Sequence, residues 1–242
     1  MTAPKTAPKT AMVLAAGLGT RMRPLTDDRP KALVEVAGRA LIDHVLDRLA
    51  DAGVEKAVVN VHWFADRLES HLAARGRGPE IVISDERETL LETGGGLKKA
   101  APLLGDDPVF VANIDSVWLD RGDALNQLAR LWNPSIMDAA LLLARREGSI
   151  GFEGDGDFFL GDDGKLTFRG EAASAPFAYM GVHICRPDYV ADGPEGAFSL
   201  SQFWRRSPAA GRLYGVVMDG EWMHVGDPQA RDEAEAKLSG AV

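Results

Sequence analysis

The sequence predicts an α/β domain in which helices cover both faces of a mostly parallel sheet. Three observations support this class. Short apolar runs alternate with amphipathic segments of helical period, which is the rhythm of successive strand–helix–strand units. Apolar residues make up 45% of the 242 residues, enough for the core of one domain of this length. No Pro/Ser-rich linker divides the chain, so residues 11–242 are expected to form a single domain.

The N-terminal half supplies the regular alternation. The first strand is expected over residues 12–16, an apolar run that ends at Gly17. After it, the patterns predict a short extended piece at 33–36, helices over 41–49 and 64–72, and strands over 56–61 and 80–84. Three glycines at 94–96 precede a further helix. Beyond them we expect strands over 109–112 and 139–144 and a helix over 122–132.

From residue 150 onward, glycine and aspartate become frequent and the regular alternation of predicted strands and helices ends. Strand-like pieces at 165–169 and 177–184 are expected to pair antiparallel and form a lid over the sheet. A helix is expected over 198–206. The strands at 213–217 and 221–225 are interpreted as a hairpin through Asp219-Gly220. Asp227 and Pro228 have the residue types of an N-cap and a first helical position, which predicts a helix over 227–240.

The bulk properties exclude several classes of partner. The net charge of −9 argues against nucleic acid, which requires a basic face. No run of about eighteen apolar residues is present, so no membrane partner is expected. The single cysteine, Cys185, leaves no intramolecular disulfide and fits a reducing, cytoplasmic location. Residues 1–10 repeat TAPKT, lack a hydrophobic segment and are expected to form a disordered tail.

The loop after the first predicted strand has the composition of an anion-binding turn. Gly17 and Gly19 allow tight backbone conformations that present N–H groups to an anion. Arg21 and Lys31 place cations near the same strand end. The loop lacks the G-x-x-x-x-G-K-[ST] pattern of a P-loop and the third glycine of a dinucleotide fingerprint. The residues alone therefore predict a phosphate cradle of another kind.

The longer string around this loop carries a resemblance. Residues 14–26 read L-A-A-G-L-G-T-R-M-R-P-L-T and are followed by Pro30-Lys31, which resembles the signature of the sugar-phosphate nucleotidyltransferases. The resemblance implies a Rossmann-like (GT-A-like) fold with a small antiparallel sugar-binding subregion. It also implies a nucleoside triphosphate and a sugar 1-phosphate as substrates, with in-line attack at the α-phosphorus and loss of pyrophosphate. Catalysis of this kind rests on positioning and charge stabilisation. The chain is expected to be a monomer or a homodimer.

The resemblance also assigns residues. Arg21, Lys31 and Asp115 are expected to be catalytic, and Asp115 to hold a metal. Asp157 and Gly181 are expected on the sugar side. The expected parts are residues 11–149 for the nucleotide, 150–226 for the sugar and 227–240 as a terminal helix. The expected nucleotide-binding residues are Ala15, Ala16, Gly17, Gly19, Thr20, Arg21, Asn60, Glu92, Thr93, Gly94, Gly95 and Asn113.

Two positions depart from the family pattern. Ile114 stands where a glycine usually precedes the metal-binding aspartate, so the turn follows an ordinary backbone path or Asp115 is aimed differently. His224 stands where relatives often carry a second aspartate. The implied cofactor is Mg²⁺, with Mn²⁺ as the alternative, because imidazole suits Mn²⁺ better. Three alternatives stay open: His224 binds the metal, it contacts phosphate, or Asp115 and water suffice. Asp227 is a further candidate ligand, although its N-cap position favours a structural role.

The substrate pair is inferred from finer similarity. The short length, Leu91 to Gly96, and Asn60 followed by Trp63 resemble the branch of the family that uses UTP and N-acetylmuramate 1-phosphate in cell-wall sugar recycling. Transfer of GMP to mannose 1-phosphate, or of UMP or TMP to glucose 1-phosphate, is the alternative. A non-catalytic nucleotide sensor is a third hypothesis, motivated by Ile114 and His224.

Overall fold

The computed structural model describes residues 7–206 and 211–240. Its strands are β1 (Thr10–Leu14), β2 (Glu35–Val36), β3 (Arg39–Ala40), β4 (Lys56–Val61), β5 (Glu80–Asp85), β6 (Val109–Asn113), β7 (Ser116–Asp120), β8 (Ala139–Arg145), β9 (Phe158–Leu160), β10 (Leu166–Phe168), β11 (Phe177–Cys185), β12 (Leu213–Val217) and β13 (Gly220–His224). Its α-helices are α1 (Leu41–Asp51), α2 (Ala65–Ala73), α3 (Glu92–Leu104), α4 (Ala124–Leu131), α5 (Ser201–Trp204) and α6 (Pro228–Leu238). Short 3₁₀ turns lie at Thr20–Met22, Lys31–Leu33 and Pro187–Val190.

Nine strands of the described residues form one mixed sheet. β1 lies between β4 and β6 and runs parallel to both, and β5 continues the parallel part beyond β4. β11 runs antiparallel to β6 and to β8, and β12 is parallel to β8. The carboxyl ends of β1, β4, β6 and β8 therefore meet at one end of the sheet. The predicted α/β class, a mostly parallel sheet covered by helices, is confirmed.

The sheet is buried on both faces, which explains the apolar runs in its strands. Val13, Val59 and Ala112 pack in one core cluster on one face, and their strand neighbours pack in a second cluster on the other. Alternate residues of a strand point to opposite faces, so a strand that is covered on both faces is apolar at most of its positions. Full burial of each large apolar side chain contributes about 1.5–3 kcal/mol.

The helix boundaries follow the local signals. The carboxylate of Asp123 accepts a hydrogen bond from the Asn126 N–H at the start of α4, and that of Asp227 accepts one from the Ala230 N–H, 2.9 Å away, at the start of α6. These caps satisfy backbone donors that the first helical turn leaves unpaired. The predicted N-cap role of Asp227, with Pro228 at the first helical position, is confirmed.

The strands after residue 150 are arranged differently from the prediction. β12 and β13 do not pair with each other, so the predicted hairpin through Asp219-Gly220 is wrong. β12 joins β8 in the large sheet, whereas β13 pairs antiparallel with β7 in a separate two-stranded sheet. The antiparallel character of the predicted lid is found, but β11 lies inside the large sheet rather than over it.

The N-terminal segment becomes ordered before residue 11. Thr10 begins β1, and the Lys9 carbonyl accepts hydrogen bonds from the N–H groups of Glu55 and Lys56. Residues 1–6 of the predicted disordered tail lie outside the described residues. None of the described helices is long and apolar enough to span a bilayer.

Candidate active site

A cavity of about 310 Å³ opens at the carboxyl end of the parallel strands. The ends of β1, β4 and β6 form its floor, and the start of α3 forms one wall. Most of the residues predicted to bind nucleotide or to act in catalysis line it: Ala15, Ala16, Gly17, Gly19, Thr20, Arg21, Lys31, Asn60, Glu92, Thr93, Asn113 and Asp115. Residues separated by up to 100 positions in sequence therefore share one cavity.

The phosphate loop, residues 17–21, has an open side and a packed side. Gly19 adopts φ of 63°, and a Cβ there would lie 3.0 Å from the Lys31 Cβ, so only glycine fits without strain. A Cβ on Gly17 would meet no protein atom within 4 Å. In the described part of the chain, the N–H groups of residues 17–21 have no protein acceptor. The loop thus presents unpaired donors and an exposed Arg21 to the cavity.

Asn60 holds the start of this loop. Its side-chain oxygen accepts hydrogen bonds from the N–H groups of Ala15 and Ala16, at 2.6 and 3.2 Å. Its side-chain nitrogen donates to Glu86 Oε1 at 2.8 Å. Asn60 therefore acts on the cavity mainly by fixing the backbone of β1's end and the side chain of Glu86.

Glu86 is a cavity residue that the sequence analysis did not identify. It is 1% exposed, and its carboxylate also accepts a hydrogen bond from the Leu91 N–H. A Cβ on Gly96 would lie 2.9 Å from Glu86 Oε1 and 3.0 Å from Asn60 Nδ2. The third glycine of the triplet is therefore needed for the close approach of α3 to this pair. In the sequence, the glycine at position 96 was the one signal of this close approach.

The first two glycines of the triplet have a packing role. The N–H groups of Gly94 and Gly95 both donate to the Phe198 carbonyl, and a Cβ on either residue would clash with the 196–198 segment. Neither lines the cavity, so they support the wall rather than face a ligand there. Glu92 does line the cavity, and it holds φ of 62°, which is unfavourable for a residue with a Cβ.

Lys31 and Asp115 form the charged centre of the cavity. Lys31 is only 8% exposed, and its Nζ lies 2.7 Å from Asp115 Oδ2. Burial raises the pKa of the Asp115 carboxyl, but the adjacent Lys31 charge outweighs burial and holds this pKa well below its usual range. Asp115 is therefore a carboxylate at any physiological pH. Ile114 is not among the described non-glycine residues with positive φ, so the turn follows an ordinary backbone path.

His224 reaches the same centre from the small sheet. Its Nε2 lies 3.6 Å from Asp115 Oδ2, and the Val225 N–H donates to the Asp115 carbonyl. β13 thus places His224 beside Asp115 even though 108 residues separate them in sequence. No group of three or more metal-ligating side chains occurs among the described residues. Asp115 and His224 fit a divalent cation that takes its remaining ligands from phosphate and water.

The two predicted sugar-side residues do not line the cavity. Asp157 Oδ2 accepts a hydrogen bond from the Tyr179 N–H at 2.9 Å, and burial raises the pKa of this carboxyl despite that bond. Gly181 adopts φ of 85°, and a Cβ there would lie 3.2 Å from the Asn113 Cβ. Gly181 therefore makes room for Asn113, which does reach the cavity.

These features define a nucleotidyltransferase: an α/β sheet whose carboxyl end combines an open glycine loop, buried lysine and aspartate, and a residue pair suited to a cation. Residues 11–152 match the model of the MobA-like NTP transferase domain, and the chain belongs to this family.

Relatives with curated names extend over the whole chain. The chain is 61% identical to an N-acetylmuramate alpha-1-phosphate uridylyltransferase of Caulobacter vibrioides, over 97% of this chain and 99% of the relative. It is 36% identical to a protein of the same name from Neisseria meningitidis serogroup B, over 96% and 98%. Among solved structures, a UDP-glucose pyrophosphorylase complexed with UDP-glucose superimposes with a TM-score of 0.77 at 16% identity, covering 97% of this chain and 99% of that one. The last similarity establishes the fold.

Proposed function

We propose that the protein transfers UMP from UTP to N-acetylmuramate 1-phosphate, giving UDP-N-acetylmuramate and pyrophosphate, in the recycling of cell-wall sugar. The observation that carries this proposal is the 61% identity to the relative of that name, spanning nearly the full length of both chains. The charged cavity, with Lys31, Asp115 and Arg21 on its walls, supports the same class of reaction.

The proposed chemistry is a single in-line displacement. A phosphate oxygen of the sugar 1-phosphate attacks the α-phosphorus of UTP, and the bond from that phosphorus to the bridging α–β oxygen breaks. Pyrophosphate leaves with the electron pair of that bond. The attacking oxygen is already anionic, so no nucleophilic side chain has to be activated. The protein must instead neutralise the charges that meet in the cavity.

The phosphate loop and the two cations divide this task. The unpaired N–H groups of residues 17–21 and the Thr20 hydroxyl are placed to donate to the triphosphate. Arg21, which has no ion-pair partner in the described part of the chain, is assigned to the departing β- and γ-phosphates. Lys31, buried beside Asp115, is assigned to the α-phosphate and the attacking phosphate.

Asp115 and His224 are proposed to hold a divalent cation, Mg²⁺ or Mn²⁺. When bound, the cation would neutralise charge on the phosphate oxygens and help to align them. Residues of this chain would fix the position of the cation, because Asp115 stays ionised and His224 is held in place by the small sheet.

Glu86 is proposed to favour a base with a ring N–H donor, such as uracil, thymine or guanine, over cytosine. A carboxylate only accepts hydrogen bonds, and uracil carries a ring N–H that donates. Cytosine has no such ring donor. Asn60 fixes one oxygen of this carboxylate by a 2.8 Å hydrogen bond, so the acceptor is held in one place at the cavity wall.

The sugar is proposed to extend from Asp115 and Asn113 towards the ends of β8 and β11. The carboxyl end of β8 pairs with the amino end of β11, and β11 also pairs with β6 up to Ala112, near the carboxyl end of β6. Asp157 and Gly181 belong to this side, and we propose that they act on the sugar through the positions of β11 and Asn113.

The test is pyrophosphate release from UTP, GTP or dTTP with each of N-acetylmuramate, glucose and mannose 1-phosphate, in Mg²⁺ and in Mn²⁺. We expect the highest kcat/KM for UTP with N-acetylmuramate 1-phosphate. A preference for GTP with mannose 1-phosphate, or for a glucose 1-phosphate pair, would assign one of the alternative activities. Nucleotide binding without pyrophosphate release from any pair would support the nucleotide sensor.

A further inference from the structure

The Asp115–His224 pair has the spacing of two ligands of one ion. His224 Nε2 and Asp115 Oδ2 are 3.6 Å apart, beyond the length of a good hydrogen bond. Two ligand atoms that each lie about 2.1 Å from a shared cation span distances of this size. Both side chains are about one-fifth to one-quarter exposed, so a cation can reach them from the cavity.

The imidazole is held in the form that binds metal. His224 Nδ1 lies 3.2 Å from the Gly151 carbonyl oxygen, which can only accept a hydrogen bond, so Nδ1 carries the proton. In this tautomer the lone pair of Nε2 points towards Asp115. A backbone carbonyl that fixes the distal ring nitrogen is the usual support of a metal-binding histidine.

The surroundings leave the ring little freedom. The ring stacks on Trp222 with ring centroids 5.7 Å apart, and the backbone N–H of His224 donates to the Ile150 carbonyl. A Cβ on Gly226 would lie 3.1 Å from His224 Cε1, so glycine at this position admits the ring. The orientation of Nε2 is therefore set by the fold before any ligand arrives.

We propose that this mixed carboxylate–imidazole pair makes the site selective for Mn²⁺ over Mg²⁺. Mg²⁺ prefers an all-oxygen shell and loses water reluctantly, whereas Mn²⁺ binds carboxylate and phosphate oxygens and also accepts imidazole nitrogen. The triphosphate supplies oxygen ligands that either ion accepts, so His224 Nε2 is the ligand that separates them. The inference rests on the proposed function only in that a nucleoside triphosphate completes the site.

The test uses binding rather than turnover. The full chain is mixed with Mn²⁺ and a UTP analogue that carries a methylene group between the α- and β-phosphorus atoms and so cannot react. Pulsed electron paramagnetic resonance then detects any nitrogen nucleus bound to Mn²⁺. We expect a nitrogen coupling in the wild-type protein. In His224→Asp we expect bound Mn²⁺ without that coupling, because an oxygen ligand replaces the nitrogen.

Competition between the two ions gives the second readout. Displacement of Mn²⁺ by Mg²⁺ yields the ratio of their affinities, and we expect His224→Asp to shift this ratio towards Mg²⁺ by about tenfold or more, a factor that each 1.4 kcal/mol supplies. The control is His71→Asn. His71 is hydrogen-bonded to Asp43, 2.9 Å away between α1 and α2 and outside the cavity, so this variant should retain the nitrogen coupling and the wild-type ratio.

An absent nitrogen coupling in the wild type, or an unchanged ratio in His224→Asp, would overturn the proposal. The first result with Mn²⁺ bound would assign His224 to a phosphate contact instead. The two proposals fail separately. If no sugar 1-phosphate reacts but the nitrogen coupling and the ratio shift are found, the proposed function is wrong and the metal selectivity stands.

Discussion

The predicted nucleotide side of the molecule, at the cavity, and the predicted sugar side, around β11, differ in how their polar groups are occupied. On the nucleotide side, the N–H groups of residues 17–21 and the Arg21 side chain have no protein partner in the described part of the chain. On the sugar side, the Asp157 carboxylate is already bonded to the backbone of β11. The comparison teaches that residues 17–21 present donors that an anion can accept without displacing a protein partner, which supports their proposed contact with the triphosphate. The predicted sugar-side residue Asp157 is instead used to hold β11.

The largest expected effect tests the charged centre of the nucleotide side. Lys31→Met should lower kcat/KM by at least about a hundredfold, since a buried positive charge placed on the reacting phosphates is lost. Pyrophosphate release measures this change. Lys98→Met is the control, because Lys98 bonds Gly193 and Glu195 away from the cavity and its loss should leave turnover nearly unchanged. Near-normal activity of Lys31→Met would remove Lys31 from the chemistry.

Substitutions of the two glycines of the phosphate loop should separate an effect on folding stability from an effect on UTP binding. Gly19→Ala should lower the free energy of unfolding by about 1–2 kcal/mol, because alanine is strained at φ of 63°. Gly17→Ala should leave stability unchanged and raise the KM for UTP, because its methyl group would project into the open space of the cavity. Chemical denaturation and steady-state kinetics measure the two effects. Equal stability loss in both variants would contradict the distinction between a packed and an open side.

A third prediction concerns pH and the strand beneath the sugar side. Burial lowers the pKa of His183 on β11 to about 3, so the folded chain keeps this ring neutral while the unfolded chain, with a pKa of about 6.5, takes up a proton. As pH falls from 6.5 towards 3, His183 therefore costs stability, by up to about 1.4 kcal/mol per pH unit.

His183→Gln should flatten this dependence, because glutamine does not titrate and can still bond the Tyr179 hydroxyl, which lies 2.7 Å from His183 Nδ1. Denaturation midpoints of both proteins at pH 7.5, 6 and 5 provide the measurement. Parallel curves for the two proteins would show that His183 does not contribute to the acid sensitivity.

The smallest expected effect concerns Asp157, a residue of the predicted sugar side. Asp157→Ala removes the acceptor of the Tyr179 N–H, so the position of β11, through which Asp157 is proposed to act on the sugar, should change. We expect the KM for the sugar 1-phosphate to rise several-fold and the KM for UTP to stay constant. An unchanged KM for both substrates would make Asp157 a purely structural residue of β11.

The sequence predicted most of the residues that line the cavity because their signals are local. An apolar strand, two glycines and nearby cations lie within twenty residues, and Asp115 follows a buried strand directly. The predicted hairpin of β12 and β13 was wrong because the pairing of these strands depends on residues that are far apart in the sequence. Asp219-Gly220 is a local turn signal, but β12 pairs with β8 and β13 pairs with β7, about 75 and 105 residues away. Tertiary packing, rather than the local turn signal, determined which strands pair.

Glu86 was not predicted because its surroundings are formed only by tertiary structure. It lies in the polar run Asp85-Glu86-Arg87-Glu88, which has the composition of an exposed loop. Its burial depends on the approach of α3 at Gly96 and on the amide of Asn60 from another strand. His224 is a similar case, since the residue type was noticed but its distance from Asp115 follows from the β7–β13 pairing.

The Asn60 side chain links the loop proposed to bind the phosphates with the carboxylate proposed to contact the base. One amide group receives the backbone that leads into the phosphate loop and donates to the carboxylate proposed to contact the base. Aspartate at this position would keep the first contact but set two carboxylates against each other, and leucine would lose both. Under the proposed function, one planar amide therefore couples the contact to the base with the contact to the phosphates, so that a shift of either contact moves the other.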